Sequence, residues 1–243
     1  MQTNEVHFIL QGKGGVGKSL TASYLTQYKA EQGHDLYCAD TDPVNNTFSQ
    51  YSAFNAAHVP IMGRNGIVDS RNFDGLIEHI LEFPGTAIVD NGSSTFLPLS
   101  AYMVENSVVD LLQSHDKRVF LHCLITGGQA MDETLLGFKK LLESHRNGRI
   151  VAWENEFFGE VVKDGKTFVE SNLYKNNKDR IEGPVRLYRA NNDTVGKDVE
   201  LMINEKLTFD QVQTSSKFSL MPRSRIKGVK KAIFEQLDGV NWE

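Results

Sequence analysis

Residues 6–19 read VHFILQGKGGVGKS. The run Val6 to Leu10 predicts a strand, and Ser19 to Glu31 predicts a helix ending at Gln32-Gly33, where glycine supplies a left-handed cap. Between them, Gly12, Gly17, Lys18 and Ser19 fit G-x-x-x-x-G-K-S/T, the spacing of a phosphate-binding loop. Gly12, Gly14, Gly15 and Gly17 let the backbone N–H groups of the loop turn inward on phosphate oxygens. The helix that follows adds the positive end of its dipole. In such a loop Lys18 reaches the β- and γ-phosphates and the Ser19 hydroxyl ligates Mg²⁺. Lys13 is then a second lysine in a loop that needs only one.

Outward from the loop, short apolar runs alternate with helical periodicity, the mark of a mostly parallel α/β sheet. Strands are expected at Asp35 to Ala39, Thr86 to Val89, Val119 to Ile125 and Arg149 to Trp153, and a last one at Phe218 to Met221, stopped by Pro222. Helices are expected near Asp69 to Glu82 and over MDETLLGFKKLLES, residues 131–144, where Met131, Leu135, Phe138 and Leu142 recur on one face. Residues 156–193 are polar: EVVKDGKTFVES predicts a hairpin at Asp164-Gly165, and YKNNKDRIEG predicts a loop. The expected architecture is a single P-loop NTPase domain over residues 1–243. It is a doubly wound, mostly parallel sheet with flanking helices and a polar insertion near 156–193.

Two carboxylate segments follow predicted strands, which places them at the carboxyl edge of the sheet, where doubly wound folds bind ligands. ADTDPVNN carries Asp40 and Asp42. AIVDNGSS carries Asp90 in the Walker B pattern, whose carboxylate supports the Mg²⁺ shell. By itself, a strand ending in Asp is equally compatible with a capping role. The phosphate loop upstream favours the functional reading for Asp42 and Asp90, and leaves Asp40 evenly balanced.

Bulk properties restrict the remaining choices. A net charge of −5 does not announce a nucleic-acid partner, so any such contact has to come from a local patch. The two cysteines, Cys38 and Cys123, lie inside apolar runs without a C-x-x-C pair, which argues against a cysteine-built metal cluster and for buried, reduced thiols. The seven histidines are scattered without metal spacing. The amino terminus lacks a basic leader with an apolar core, and no apolar run is long enough to span a bilayer. A cytoplasmic, bacterial location is expected, with association to plasmid or membrane left open.

The sequence KGGVGKS, with Lys13 two residues before Gly15, resembles the deviant Walker A motif of the ParA/MinD group of ATPases. Asp40-Thr41-Asp42-Pro43 resembles that group's D-x-D-P segment in the first switch. The resemblance implies ATP and Mg²⁺ as cofactors and an ATP-dependent homodimer, in which two protomers sandwich two ATP molecules. It makes Lys13 the lysine that crosses to the partner's phosphates, Lys18 the one that serves its own protomer, and Asp42 the carboxylate implicated in hydrolysis. Ser19, Asp42 and Asp90 become the metal-side residues, and Gly12 through Leu20, including Val16, the nucleotide loop. Asn155, after a strand, matches a family asparagine that touches adenine, and Pro222 matches an I-P-R type segment near the base.

Over nearly the whole chain, including NNKDRIEG, LTFDQV and PRSRIKGVKKAIFEQL, the sequence is similar to a plasmid conjugal-transfer branch of that group, which implies transfer or partition proteins as partners. There are departures. Leu20 stands where a second Thr or Ser is usual, Val44 replaces a glutamine after D-P, and Asp90-Asn91-Gly92 replaces a D-T-P-P type second switch.

The tail carries Arg223, Arg225, Lys227, Lys230 and Lys231, with Ile226, Val229, Ile233, Phe234 and Leu237 on one helical face. A basic amphipathic helix can bind DNA phosphates or, less favoured here, anionic lipid. Packing on the sheet with a solvated basic face is the plainer expectation. Two other functions stay open beside the ATPase switch. One is a P-loop small-molecule transferase or ligase, and the other a nucleotide-sensing module with little turnover.

Overall fold

The computed structural model describes residues 4–189 and 193–243; residues 190–192, at the end of the expected insertion, lie outside it. The chain opens with β1 (Glu5–Leu10), α1 (Lys18–Glu31), β2 (Leu36–Asp40), β3 (Ala57–His58), α2 (Asn72–Glu82) and β4 (Thr86–Asp90). It continues through α3 (Phe96–Glu105), α4 (Val108–Ser114), β5 (Arg118–Thr126), α5 (Met131–Ser144) and β6 (Arg149–Asn155). Then come the small ribbon β7 (Val162–Lys163) and β8 (Lys166–Thr167), α6 (Asn172–Lys175), β9 (Ile181–Leu187), α7 (Val195–Asn204), α8 (Phe209–Thr214) and α9 (Leu220–Asp238).

Seven strands form one sheet in the order β3-β2-β4-β1-β5-β6-β9, with every pairing parallel. Parallel strands are joined by crossovers that put helices on both faces, and so they are buried on both sides. β1 and β4 show this directly, with every residue buried. On one face Val6, Phe8, Leu10, Val119, Leu121 and Ile125 pack against α2 to α5. On the other, Ile9, Phe120, Leu124, Val151 and Trp153 pack against α1, α8 and α9 through Leu25, Tyr28, Phe209, Ile233 and Leu237. The expected doubly wound α/β P-loop architecture is therefore the observed one. The order leaves β1 central, and chain direction diverges there, which opens a crevice at the carboxyl edge.

The expected last strand at Phe218 to Met221 is corrected to the start of a helix, because α9 runs from Leu220. Pro222 sits in the first turn of α9, where its missing N–H leaves no intrahelical bond unmade. The strand that closes this side of the sheet is β9, inside the stretch YKNNKDRIEG-PVRL. Here Ile181, Val185 and Leu187 are buried, and the edge position tolerates Pro184. The loop expected over YKNNKDRIEG is accordingly corrected: Tyr174 and Lys175 end α6, and Ile181 to Gly183 begin β9 in the sheet. The predicted hairpin forms at Asp164-Gly165, whose φ values of 51° and 72° are those of a tight two-residue turn.

The apolar face of α9 packs on the sheet, with Ile226, Ile233, Phe234 and Leu237 buried. Its basic residues are largely engaged: Arg225 with Asp198, Lys230 with Glu31 and Asp210, and Lys231 with Glu235. No described helix is long and apolar enough to cross a membrane.

Candidate nucleotide site

The phosphate loop leaves β1 through Gln11. The buried Gln11 amide donates from Nε2 to the carbonyls of Leu124 (2.7 Å) and Thr134 (3.2 Å) and accepts from the Gly12 amide (2.9 Å). The start of the loop is thereby pinned to β5 and α5. At its end, Gly17 has φ +99°, and an added Cβ would stand 2.9 Å from Asn155 Nδ2. Both the backbone sign and the close approach require glycine. That Asn155 nitrogen donates to the Val16 carbonyl at 2.9 Å, and its oxygen accepts from the Phe157 amide at 3.1 Å. Asn155 therefore braces the loop from the end of β6.

Lys18 is 8% exposed and donates to the Lys13 carbonyl at 3.1 Å. Burial lowers its pKa, while Asp90 and Asp42 act in the opposite direction. Lys13 points elsewhere: its ammonium lies 3.0 Å from Glu133 in the first turn of α5, and both side chains reach solvent. The two lysines of one loop thus occupy different environments, one enclosed with the carboxylates and one on the rim.

Parallel register sets Asp40 beside Asp90 on neighbouring strands. Asp40 is buried and accepts backbone N–H bonds from Asp42 and Ser49, each at 3.0 Å, so it shapes the loop after β2. Asp42 is half-buried, and its Oδ1 accepts from the Val44 and Asn45 amides at 2.9 and 3.0 Å. Asp90 is 1% exposed, and its Oδ1 has no hydrogen-bond partner. Burial pushes its pKa up to about 7, against the hydrogen bond from Ser19, with Asp40 adding to the rise.

Asp90 thus keeps one carboxylate oxygen open beside the Ser19 hydroxyl and the buried Lys18. Among the described residues, no group of three or more His, Cys, Asp or Glu is placed to hold a metal unaided. That fits Mg²⁺ of the nucleotide-borne kind, which takes most of its ligands from phosphate and water. Pro222 lies apart in character. Its turn is tied to residues 213–215 through bonds from Gln213 to the Arg223 carbonyl and from Arg223 to the Ser215 carbonyl. Sequence reasoning missed Gln11, Thr41, Asn91 and Thr95, all fully buried polar residues at this edge. A polar side chain ending an apolar strand, as Gln11 and Asn91 do, was the available signal.

The fold and this loop define a ParA/MinD-like P-loop protein. Over 97% of both chains the structure is similar to the MinD cell division protein of Aquifex aeolicus, with a TM-score of 0.53 at 16% identity. It is also similar to a plasmid-partition-type protein of Borrelia burgdorferi B31 bound to AMPPNP, with a TM-score of 0.51 at 15% identity over 97% of this chain and 98% of that one. No family model matches the sequence. Protein TraL of Escherichia coli is 40% identical over 235 residues, 96% of this chain and 97% of the relative. The chain belongs to the TraL family.

Proposed function

We propose that this chain is a Mg²⁺-dependent ATP-binding and ATP-hydrolysing switch that dimerises around ATP and serves plasmid conjugal transfer or partitioning. The observation that carries the reading is the enclosure of Lys18 with Asp90, whose free oxygen sits at the end of a glycine-rich loop. Residues 1–243 act as one ATPase domain located in the cytoplasm, with transfer or partition proteins as partners. The acid-paired surface of α9 makes DNA or lipid contact through the tail the lesser contribution.

Water attacks the γ-phosphorus, the bond to the β–γ bridging oxygen breaks, and ADP and inorganic phosphate leave. The Lys18 ammonium exchanges the Lys13 carbonyl for β- and γ-phosphate oxygens, and so neutralises charge that grows toward the transition state. Asp42 orients the attacking water. Ser19 and Asp90 would hold Mg²⁺, which when bound would supply charge neutralisation on the phosphates. Lys13, already turned out of its own loop, reaches the phosphates of the second protomer. The Asn155 brace fixes the loop for the base side, and Gly12 to Leu20 present their N–H groups to the phosphates.

Lys13→Ala is expected to abolish hydrolysis and ATP-dependent dimerisation while leaving nucleotide binding by the monomer within about threefold. Unchanged turnover in that variant refutes the trans role. Asp42→Ala is expected to accumulate an ATP-bound dimer, and size-exclusion chromatography showing only monomers with ATP counts against it. Assaying phosphate release with plasmid DNA, anionic vesicles or lysate of plasmid-bearing cells identifies the partner class by which of them stimulates.

A further inference from the structure

One fully buried side chain joins the two loops that bear the carboxylates. Asn91 follows Asp90 at the end of β4 and is 1% exposed. Its Oδ1 accepts from the Thr41 hydroxyl (3.0 Å), in the loop after β2, and from the Thr95 hydroxyl (2.5 Å), at the start of α3. Thr41 and Thr95 are both inaccessible to solvent. The Thr41 amide donates to the Asp90 carbonyl at 2.9 Å, and the Thr95 hydroxyl also lies 2.9 Å from the Gly92 carbonyl. No hydrogen bond among the described residues joins Thr41 to Thr95 directly, so the amide of Asn91 is their shared contact. Alongside, the loops touch so closely that a Cβ on Gly92 would stand 2.8 Å from the Asp42 Cγ.

The other end of this amide is unsatisfied: Asn91 Nδ2 is buried and has no partner. Buried polar nitrogens are nearly always paired, and an exception marks a strained or functional arrangement. An NH₂ group enclosed among loops that flank a phosphate cradle gains an acceptor when a loop rearranges or a ligand oxygen arrives. We infer that Asn91 is a positioning residue that couples the loop bearing Asp42 to the loop bearing Thr95, so that the two close around the terminal phosphate as one unit. The coupling rests on the ATP-switch reading given above. It explains why an asparagine followed by glycine serves at this switch: the amide spans both hydroxyls, and the missing Cβ admits Asp42.

The test uses the full chain with a nonhydrolysable ATP analogue and measures hydrogen exchange in segments 41–49 and 91–96, together with kcat and nucleotide Kd. In the wild type both segments are expected to gain protection over the same range of analogue concentration. In Asn91→Ala the two responses separate. There kcat falls about tenfold or more while Kd stays within about threefold, the split expected of a group that acts after binding.

Thr41→Val and Thr95→Val provide an independent cycle. If both act through one amide, the double variant loses no more than about twofold beyond the worse single variant. Joint protection persisting in Asn91→Ala overturns the coupling, as does independent multiplication of the Thr41 and Thr95 effects. A wild-type chain that fails to bind the analogue overturns the ATP reading itself, and the coupling with it. Loops that respond to the analogue one without the other overturn the coupling alone.

Discussion

Two buried carboxylates at opposite ends of neighbouring strands are treated in opposite ways. Asp90, at the carboxyl end of β4, keeps one oxygen without a partner, and burial pushes its pKa up to about 7. Glu5, at the start of β1, is 2% exposed and accepts from Lys29 (2.7 Å), Arg118 (2.9 Å) and His7 (3.1 Å). Burial alone would raise the Glu5 pKa as well, but His7 and Lys29 outweigh it and hold it near about 2. The difference separates a buried carboxyl group left with an open oxygen from a carboxylate whose cations are built in.

The Glu5 cluster extends across the sheet as a directed chain. The Trp153 indole N–H can only donate, and it lies 2.9 Å from His122 Nδ1, which must therefore accept. His122 then carries its proton on Nε2 and gives that bond to His7 Nδ1 at 2.9 Å, and His7 Nε2–H points to Glu5. Both imidazoles are neutral. Burial lowers the His7 pKa to about 4 despite Glu5, and it places His122 well below its ordinary value. Trp242, next to last in the chain, closes the cluster. Its ring centroid is 3.9 Å from the Lys29 ammonium, and its carbonyl accepts from Arg118 at 2.7 Å.

The contrast is broken most severely at Glu5. Glu5→Gln leaves Lys29 buried without a counter-charge, which costs about 3–5 kcal/mol of stability. Calorimetry should show Tm lower by roughly 10 °C, with nucleotide Kd unchanged; an unchanged Tm contradicts the structural role. Acid acts on the same cluster. The folded pKa of Glu5 is depressed, so its stabilisation is complete above 4.5 and is lost as pH falls toward 2. His7 is depressed too, so its neutral form begins to cost stability as pH falls below 6.5, and that loss is complete near 4. Denaturant titration should show a loss of about 3 kcal/mol from the His7 shift between pH 6.5 and 4. His7→Gln should flatten that slope.

At the other carboxylate the expected sign reverses. Asp90→Asn removes a carboxylate that burial disfavours more than Ser19 and Lys18 favour it, and should stabilise the nucleotide-free chain by about 2 kcal/mol near neutral pH. Hydrolysis should fall about a hundredfold in the same variant. A drop in Tm on this substitution would show that Asp90 is satisfied after all. The mildest probe is Trp242→Ala, which removes a half-buried ring and should cost about 1–2 kcal/mol. Its effect should merge with that of Glu5→Gln in the double variant, because the two share Lys29.

Local patterns made much of this legible. The phosphate loop, its flanking strand and helix, Asp42 and Asp90 at strand ends, and α5 from Met131 to Ser144 follow from spacing within a dozen residues. β9 was obscured because Gly183-Pro184 reads as a breaker, and only its position at the sheet edge makes the proline acceptable. FSLMP read as a strand because a short apolar run ended by proline looks alike in both settings. The histidines read as scattered because their meeting depends on register. Parallel pairing sets Ile9 beside His122, which brings His7 and His122 together across 115 residues of chain.

By itself the sequence determined the nucleotide loop and the edge of the sheet that bears it, since glycine spacing, apolar runs and strand-terminal carboxylates act over short range. Tertiary structure alone decided which buried charges found partners. Lys18 and Lys13 were separated, Asn155 was turned onto the Val16 carbonyl, Asn91 was set between two threonines, and Glu5 was surrounded by cations from α1 and β5. Desolvation and hydrogen bonding depend on what distant segments bring within about 3 Å, and no local pattern carries that information.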